Sequence, residues 1–146
     1  MKNPRVSVKL SGKIENWKFN SILIIDDDEF DLFIARNILI RNNSADIIFT
    51  ETSGRAALHF LLNTKEVPDL ILLDYLMFEM NGLEFIEEFK RLPTHITEKC
   101  KIVLLSAMVK FYEIDRITMM NSEHTLGVLG KPLVVSQLTE MINKRC

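Results

Sequence analysis

Short apolar runs alternate with amphipathic stretches from residue 21 to the C-terminus. Runs at 21–26, 46–50, 70–74, 101–106 and 126–129 are of strand length, and the first is rich in isoleucine. Between them, apolar residues recur at helical spacing. Phe30, Phe33, Ile34 and Ile38 mark a helix over 29–41. Ala57, Leu58, Leu61 and Leu62 mark a second, with Ser53 as its cap and Pro68 beyond its end. Leu83, Ile86 and Phe89 follow Gly82 and stop before Pro93. A weaker pattern covers 111–121, and Leu138, Met141 and Ile142 mark a last helix over 135–144. The order is (βα)5. The runs at 21–26, 70–74 and 101–106 are nearly continuous apolar segments, as expected when helices cover both faces of a parallel sheet. The fold class is therefore α/β, a doubly wound parallel five-stranded sheet with right-handed crossovers.

The first 20 residues break this pattern. Lys2, Arg5, Lys9, Lys13 and Lys18 face the single acid Glu15, and Val6, Val8, Leu10, Ile14, Trp17 and Phe19 lie scattered among them. A basic, partly ordered N-terminal extension over 1–20 is expected, ahead of one domain over 21–146. A chain of 146 residues is long enough for one core. The net charge of −2 gives no basis for direct binding of nucleic acid. No apolar run approaches the roughly 20 residues of a membrane span, and 1–20 lack the apolar stretch of a secretory signal. No membrane partner is expected, and the expected compartment is the cytoplasm. Cys100 and Cys146 lack metal-type spacing and are expected as reduced thiols.

The chemistry gathers at strand ends. The first strand runs into Asp26, Asp27 and Asp28, and the third ends in Asp74. In doubly wound sheets the ligand site lies beyond the strand C-termini. Ser106 and Lys131 fall at the same edge, after the fourth and fifth strands. Clustered carboxylates repel one another, and a divalent cation relieves that repulsion. Asp26, Asp27 and Asp74 offer the hard oxygen ligands that Mg2+ takes. Three carboxylates, one Mg2+ and Lys131 sum to about zero charge, which leaves room for a phosphoryl group. Asp74 would be its nucleophilic acceptor, with Lys131 and the Ser106 hydroxyl bonding the phosphoryl oxygens. Asp28 is expected to cap the first helix.

These residues, with Met77, Met80, Asn81 and Gly82 after Asp74, Ala107 after Ser106 and Pro132 after Lys131, resemble the receiver domain of response regulators in two-component signalling. The resemblance spans about 21–145. It implies a stand-alone receiver of flavodoxin-like strand order 2-1-3-4-5, with Asp74 as phosphoacceptor. The carbonyl of Leu76 would join Asp26, Asp27 and Asp74 around Mg2+, and Ser106 would be the switch hydroxyl. The Lys131–Pro132 bond would be cis. A sensor histidine kinase or histidine phosphotransfer protein would supply the phosphoryl group, and output would pass to another protein or along a phosphorelay. A homodimer through the face of helix four, strand five and helix five is compatible with it. Enzymatic activity would not go beyond self-catalysed phosphorylation and dephosphorylation. Because the chain ends after the last helix, no attached output domain is expected.

Three departures stand out. Phe78 occupies a position where proline is common, and Val128 one that often holds a switch tyrosine or phenylalanine. The interval from Ser106 to Lys131 is slightly long, with 121–124 as the candidate insertion. The first two motivate an alternative, a receiver-like interaction module that works without phosphorylation. By the same resemblance, apolar Leu76 and Met108, two residues after the acceptor and the switch hydroxyl, imply slow loss of the phosphoryl group. A dehalogenase-type phosphatase would need an acid where Leu76 stands, and a flavin phosphate would be repelled by Asp26, Asp27 and Asp28.

Overall fold

A computed structural model of the chain describes residues 5–8, 14–107 and 123–145. The described strands are β1 (Arg5–Val8), β2 (Ile14–Ile25), β3 (Ala45–Glu51), β4 (Leu70–Asp74), β5 (Lys101–Ser106) and β6 (Thr125–Gly130). The helices are α1 (Glu29–Arg41), α2 (Gly54–Asn63), α3 (Gly82–Phe89), a single-turn α4 (Thr94–Thr97) and α5 (Val135–Arg145). Five strands pair in parallel in the order β3-β2-β4-β5-β6. Counted along the chain among the parallel strands, that is 2-1-3-4-5. The helix expected over 111–121 lies outside the described residues.

Strand side chains alternate between two cores because successive Cβ atoms point to opposite faces. Leu23, Ile25, Ile71, Leu73, Ile102 and Leu104 meet Ala57 and Leu61 of α2 and Phe85, Ile86 and Phe89 of α3. Ile22, Ile24, Leu70, Leu72, Val103 and Leu105 meet Leu32, Ala35 and Leu39 of α1 and Leu138 and Ile142 of α5. Every residue of β4 is buried, which explains why this strand carries no polar alternation before its terminal aspartate.

Two elements differ from the expected pattern. The first parallel strand begins at Ile14 rather than residue 21, and β1 pairs antiparallel with its N-terminal part, Arg5 opposite Lys18 and Val6 opposite Trp17. Among the apolar residues that look scattered in this stretch, Val6 and Val8 in β1 and Trp17 and Phe19 in β2 are each two positions apart, the period of a strand. In α1 the buried side is Leu32, Ala35 and Leu39, while Phe30 and Phe33 are 68% and 62% exposed. Both sets share helical spacing, so spacing alone does not choose between them. Asp28 accepts hydrogen bonds from the Phe30 and Asp31 amides and fixes where the helix starts, and Asp31 pairs with Lys131.

Cys100 is buried with its thiol donating to the Pro68 carbonyl, and burial pushes its pKa up to about 12. Met77 and Met80 pack against the core formed with α2 and α3. Replacement of Leu72, fully buried between α1 and α5, by alanine is expected to cost about 2–5 kcal/mol. Urea denaturation would show this as a lower midpoint with an unchanged slope.

Candidate functional site

Parallel pairing brings the ends of four strands to one edge. Ile25 pairs with Leu73, Asp74 with Leu105, and Ser106 with Gly130. Asp26 therefore follows β2 beside Asp74, the last residue of β4, and Lys131 follows β6 beside Ser106. The Lys131 amide donates to the Ser106 carbonyl at 2.9 Å, and the Tyr75 amide donates to the Leu105 carbonyl at 2.9 Å. The Lys131–Pro132 bond is cis. The tie at Lys131 fixes the root of the side chain that reaches Asp26 and Asp74.

One oxygen each from Asp26, Asp27 and Asp74 lies within 4.8 Å of the other two. Asp26 and Asp74 are buried and Asp27 is exposed. The Lys131 ammonium stands among them, 2.7 Å from Asp26 Oδ2, 3.1 Å from Asp74 Oδ1 and 3.0 Å from Asp31 Oδ2. Burial pushes the Lys131 pKa down, but its hydrogen bonds to Asp26, Asp31 and Asp74 outweigh that and hold it above the ordinary lysine range. Asp74 behaves oppositely. Burial, reinforced by the charge of Asp26, outweighs the contact with Lys131 and raises its carboxyl from 3.8 to about 6. The donors are all carboxylate oxygens, a set suited to a hard divalent cation rather than to a soft one.

The loop from Tyr75 to Asn81 closes the site. The Gly82 amide donates to the Tyr75 carbonyl at 2.8 Å. At Gly82 an added Cβ would lie 2.8 Å from the Leu104 side chain and 3.2 Å from the Tyr75 Cα, so only glycine fits this approach. Asn81 caps α3 in a reciprocal capping box with Glu84. Leu76 is 64% exposed, and among the described residues no hydrogen bond ends on its carbonyl. Ser106 is buried at the end of β5.

The structure thus brings Asp26, Asp27, Asp74, Ser106 and Lys131 to one edge. Asp28 stands apart from the three-acid cluster and caps α1. Two groups are missing from the sequence reading. Asp31 reaches Lys131 from the first turn of α1, and its only signal is a position one helical turn beyond the cap. The Phe78 amide donates to Asp27 Oδ2 at 2.8 Å, and a backbone donor leaves no trace in residue type. Val128 packs against the core rather than entering the site, and His124 stacks edge-on against Phe89. Met108 lies outside the described residues.

A carboxyl held above its unfolded pKa binds its proton more tightly in the native state, so folding stability falls as pH rises from about 3.8 to about 6. Above that window the cost of the ionised Asp74 is complete. Asp74→Asn is therefore expected to raise stability at pH 7 without divalent cations, on the order of 1–2 kcal/mol after allowance for solvent at the open edge. Lys131 keeps Asp26 and Asp31 in that variant. Thermal denaturation at pH 7 and at pH 4 checks it; the gain should shrink at the lower pH.

The chain is similar to known proteins over most of its length. The model of the response regulator receiver domain matches residues 22–143. Sporulation initiation phosphotransferase F of Bacillus subtilis is 27% identical over 125 residues, covering 86% of this chain and 93% of that protein. Chemotaxis protein CheY of the same organism is 28% identical over 124 residues, covering 84% and 94%. Among solved structures, a two-component response regulator from Cytophaga hutchinsonii is 30% identical with a TM-score of 0.76, covering 88% of this chain and 97% of that one. A response regulator receiver protein from Dyadobacter fermentans is 29% identical with the same TM-score of 0.76, covering 86% and 96%. A match over most of the chain, together with the sheet order and the strand-end acids, places this chain in the response regulator receiver domain family of two-component signalling.

Proposed function

We propose that Asp74 accepts a phosphoryl group from a phosphohistidine donor and that the phosphorylated protein switches protein contacts or passes the group along a relay. The observation that carries this reading is the convergence of three carboxylate oxygens within 4.8 Å around a strand-end aspartate that also touches Lys131. In the transfer, an Asp74 oxygen bonds to phosphorus as the donor's P–N bond breaks, and the departing imidazole takes up a proton. Positioning and charge neutralisation account for most of such a reaction. Asp26, Asp27, Asp74 and the Leu76 carbonyl are the groups that would hold Mg2+. Bound there, Mg2+ would offset phosphoryl charge and favour the ionised form of Asp74.

Lys131 has the second role. Its ammonium already rests on Asp26, Asp31 and Asp74, so it can move onto a phosphoryl oxygen without leaving the site. The Ser106 hydroxyl, rooted beside Lys131, is assigned to the phosphoryl oxygens and to the change of state that follows. We assign residues 21–146 to the receiver domain and 1–20 to an extension, although β2 runs across that boundary. The donor is a sensor histidine kinase or histidine phosphotransfer protein, and the recipient of the signal is another protein. Among the described residues no helix is long and apolar enough to cross a membrane. The chemistry proposed is confined to Asp74 itself, its phosphorylation and its hydrolysis.

Intact-mass spectrometry after incubation with acetyl phosphate tests the assignment. One added phosphoryl group is expected with Mg2+ and none without it, and none in Asp74→Asn. Labelling that persists in Asp74→Asn would sink the acceptor assignment. Absence of labelling by acetyl phosphate and by a phosphohistidine donor, with Mg2+ bound, would favour an interaction module that works without phosphorylation.

A further inference from the structure

We infer that the backbone N–H of Phe78 is a positioning group for the acid cluster, holding the exposed carboxylate of Asp27 where a divalent cation would meet it. The inference rests on the reading of Asp26, Asp27 and Asp74 as a cation site. Asp26 and Asp74 are buried and share Lys131, whereas Asp27 is open to solvent. Among the described residues, the hydrogen bond found on the Asp27 carboxylate comes from the Phe78 amide, 2.8 Å away and 51 positions on.

The donor is itself held. The Met80 amide donates to the Phe78 carbonyl at 2.7 Å, and the Gly82 amide closes the loop on the Tyr75 carbonyl. Between them Glu79 takes a left-handed conformation at φ 68, which turns the chain sharply. The Met80 thioether seats over Gly54 at the start of α2, so closely that a Cβ there would lie 2.7 Å from its sulfur. The Phe78 ring, by contrast, is 82% exposed. What residue 78 gives the site is its amide and not its side chain. Phenylalanine supplies that amide where a proline would have none.

An exposed aspartate rotates freely and must be ordered when a cation binds. A charge-assisted bond to Oδ2 removes most of that cost in advance and leaves Oδ1 open. It also ties the loop between β4 and α3 to the occupancy of the site.

The test titrates Mg2+ alone into the full chain by calorimetry. The variants are Phe78→Ala, Phe78→Pro and a chain with phenyllactate at position 78, whose ester keeps the ring and backbone shape but lacks the N–H. Phe78→Ala should bind within twofold of wild type, while the proline and ester chains should bind about 3- to 10-fold more weakly. In an Asp27→Ala background the amide and ester chains should not differ. Without metal, the Phe78 amide proton should resonate downfield in wild type and move upfield in Asp27→Ala. Equal affinity of the wild-type and ester chains overturns the inference. Tighter binding by the ester overturns it as well, because the bond would then compete with the cation. A wild-type chain that binds no Mg2+ overturns the cation reading on which the inference rests, and the metal-free amide shift shows whether the Phe78–Asp27 bond exists regardless.

Discussion

One ammonium group, Lys131 Nζ, lies within 3.1 Å of carboxylates rooted in two strand ends and a helix. The rest of the site depends on that contact. Asp26 and Asp74 are both buried, and burial together with the neighbouring charge of Asp26 raises the cost of ionising Asp74. Lys131 offsets part of this but not all of it. Burial and Asp26 still outweigh Lys131 at Asp74. The acids are therefore brought together with too little positive charge to neutralise them, a charge balance that favours a cation. The fold makes the contact geometrically unavoidable. Five parallel strands deliver their C-termini to one edge, and the Lys131 amide is pinned to the Ser106 carbonyl before its side chain reaches the acids.

Much of this was legible in the residues. The strands covered on both faces read as unbroken apolar runs, and β4 and β5 have the bounds the runs predict. Acids directly after such runs have few other places to be than the sheet edge. What was not legible falls into two kinds. The first is choice between equivalent patterns. The α1 sequence offers two apolar sets at helical spacing, and the fold buries Leu32, Ala35 and Leu39 against the sheet. The second is backbone chemistry. The Phe78 amide reaches Asp27 through the path of the loop, and nothing about a phenylalanine announces a donor. The N-terminal strand pairing belongs partly to each kind. Its two-residue spacing covers only one apolar pair in each strand, Val6 with Val8 and Trp17 with Phe19, too short to stand out in the sequence.

Asp31 changes the charge balance that the motif residues alone suggest. With it, Lys131 touches three carboxylates, and these with Asp27, Lys131 and one divalent cation would sum to about one negative charge. Lys131 touches both Asp31 and Asp74, so α1 and β4 are linked through a single side chain. The loop after β4 provides a second link, through Phe78 and Asp27. Both connect the edge of the sheet to surfaces that a protein partner can reach.

The sheet edge makes the ionised form of Asp74 costly until further positive charge arrives. The most direct measurement is a carbon-13 NMR titration of the Asp74 carboxyl, with and without saturating Mg2+. A midpoint of about 6 without metal, falling when Mg2+ is added, is the predicted result. A midpoint near 3.8 that Mg2+ leaves unmoved would contradict it.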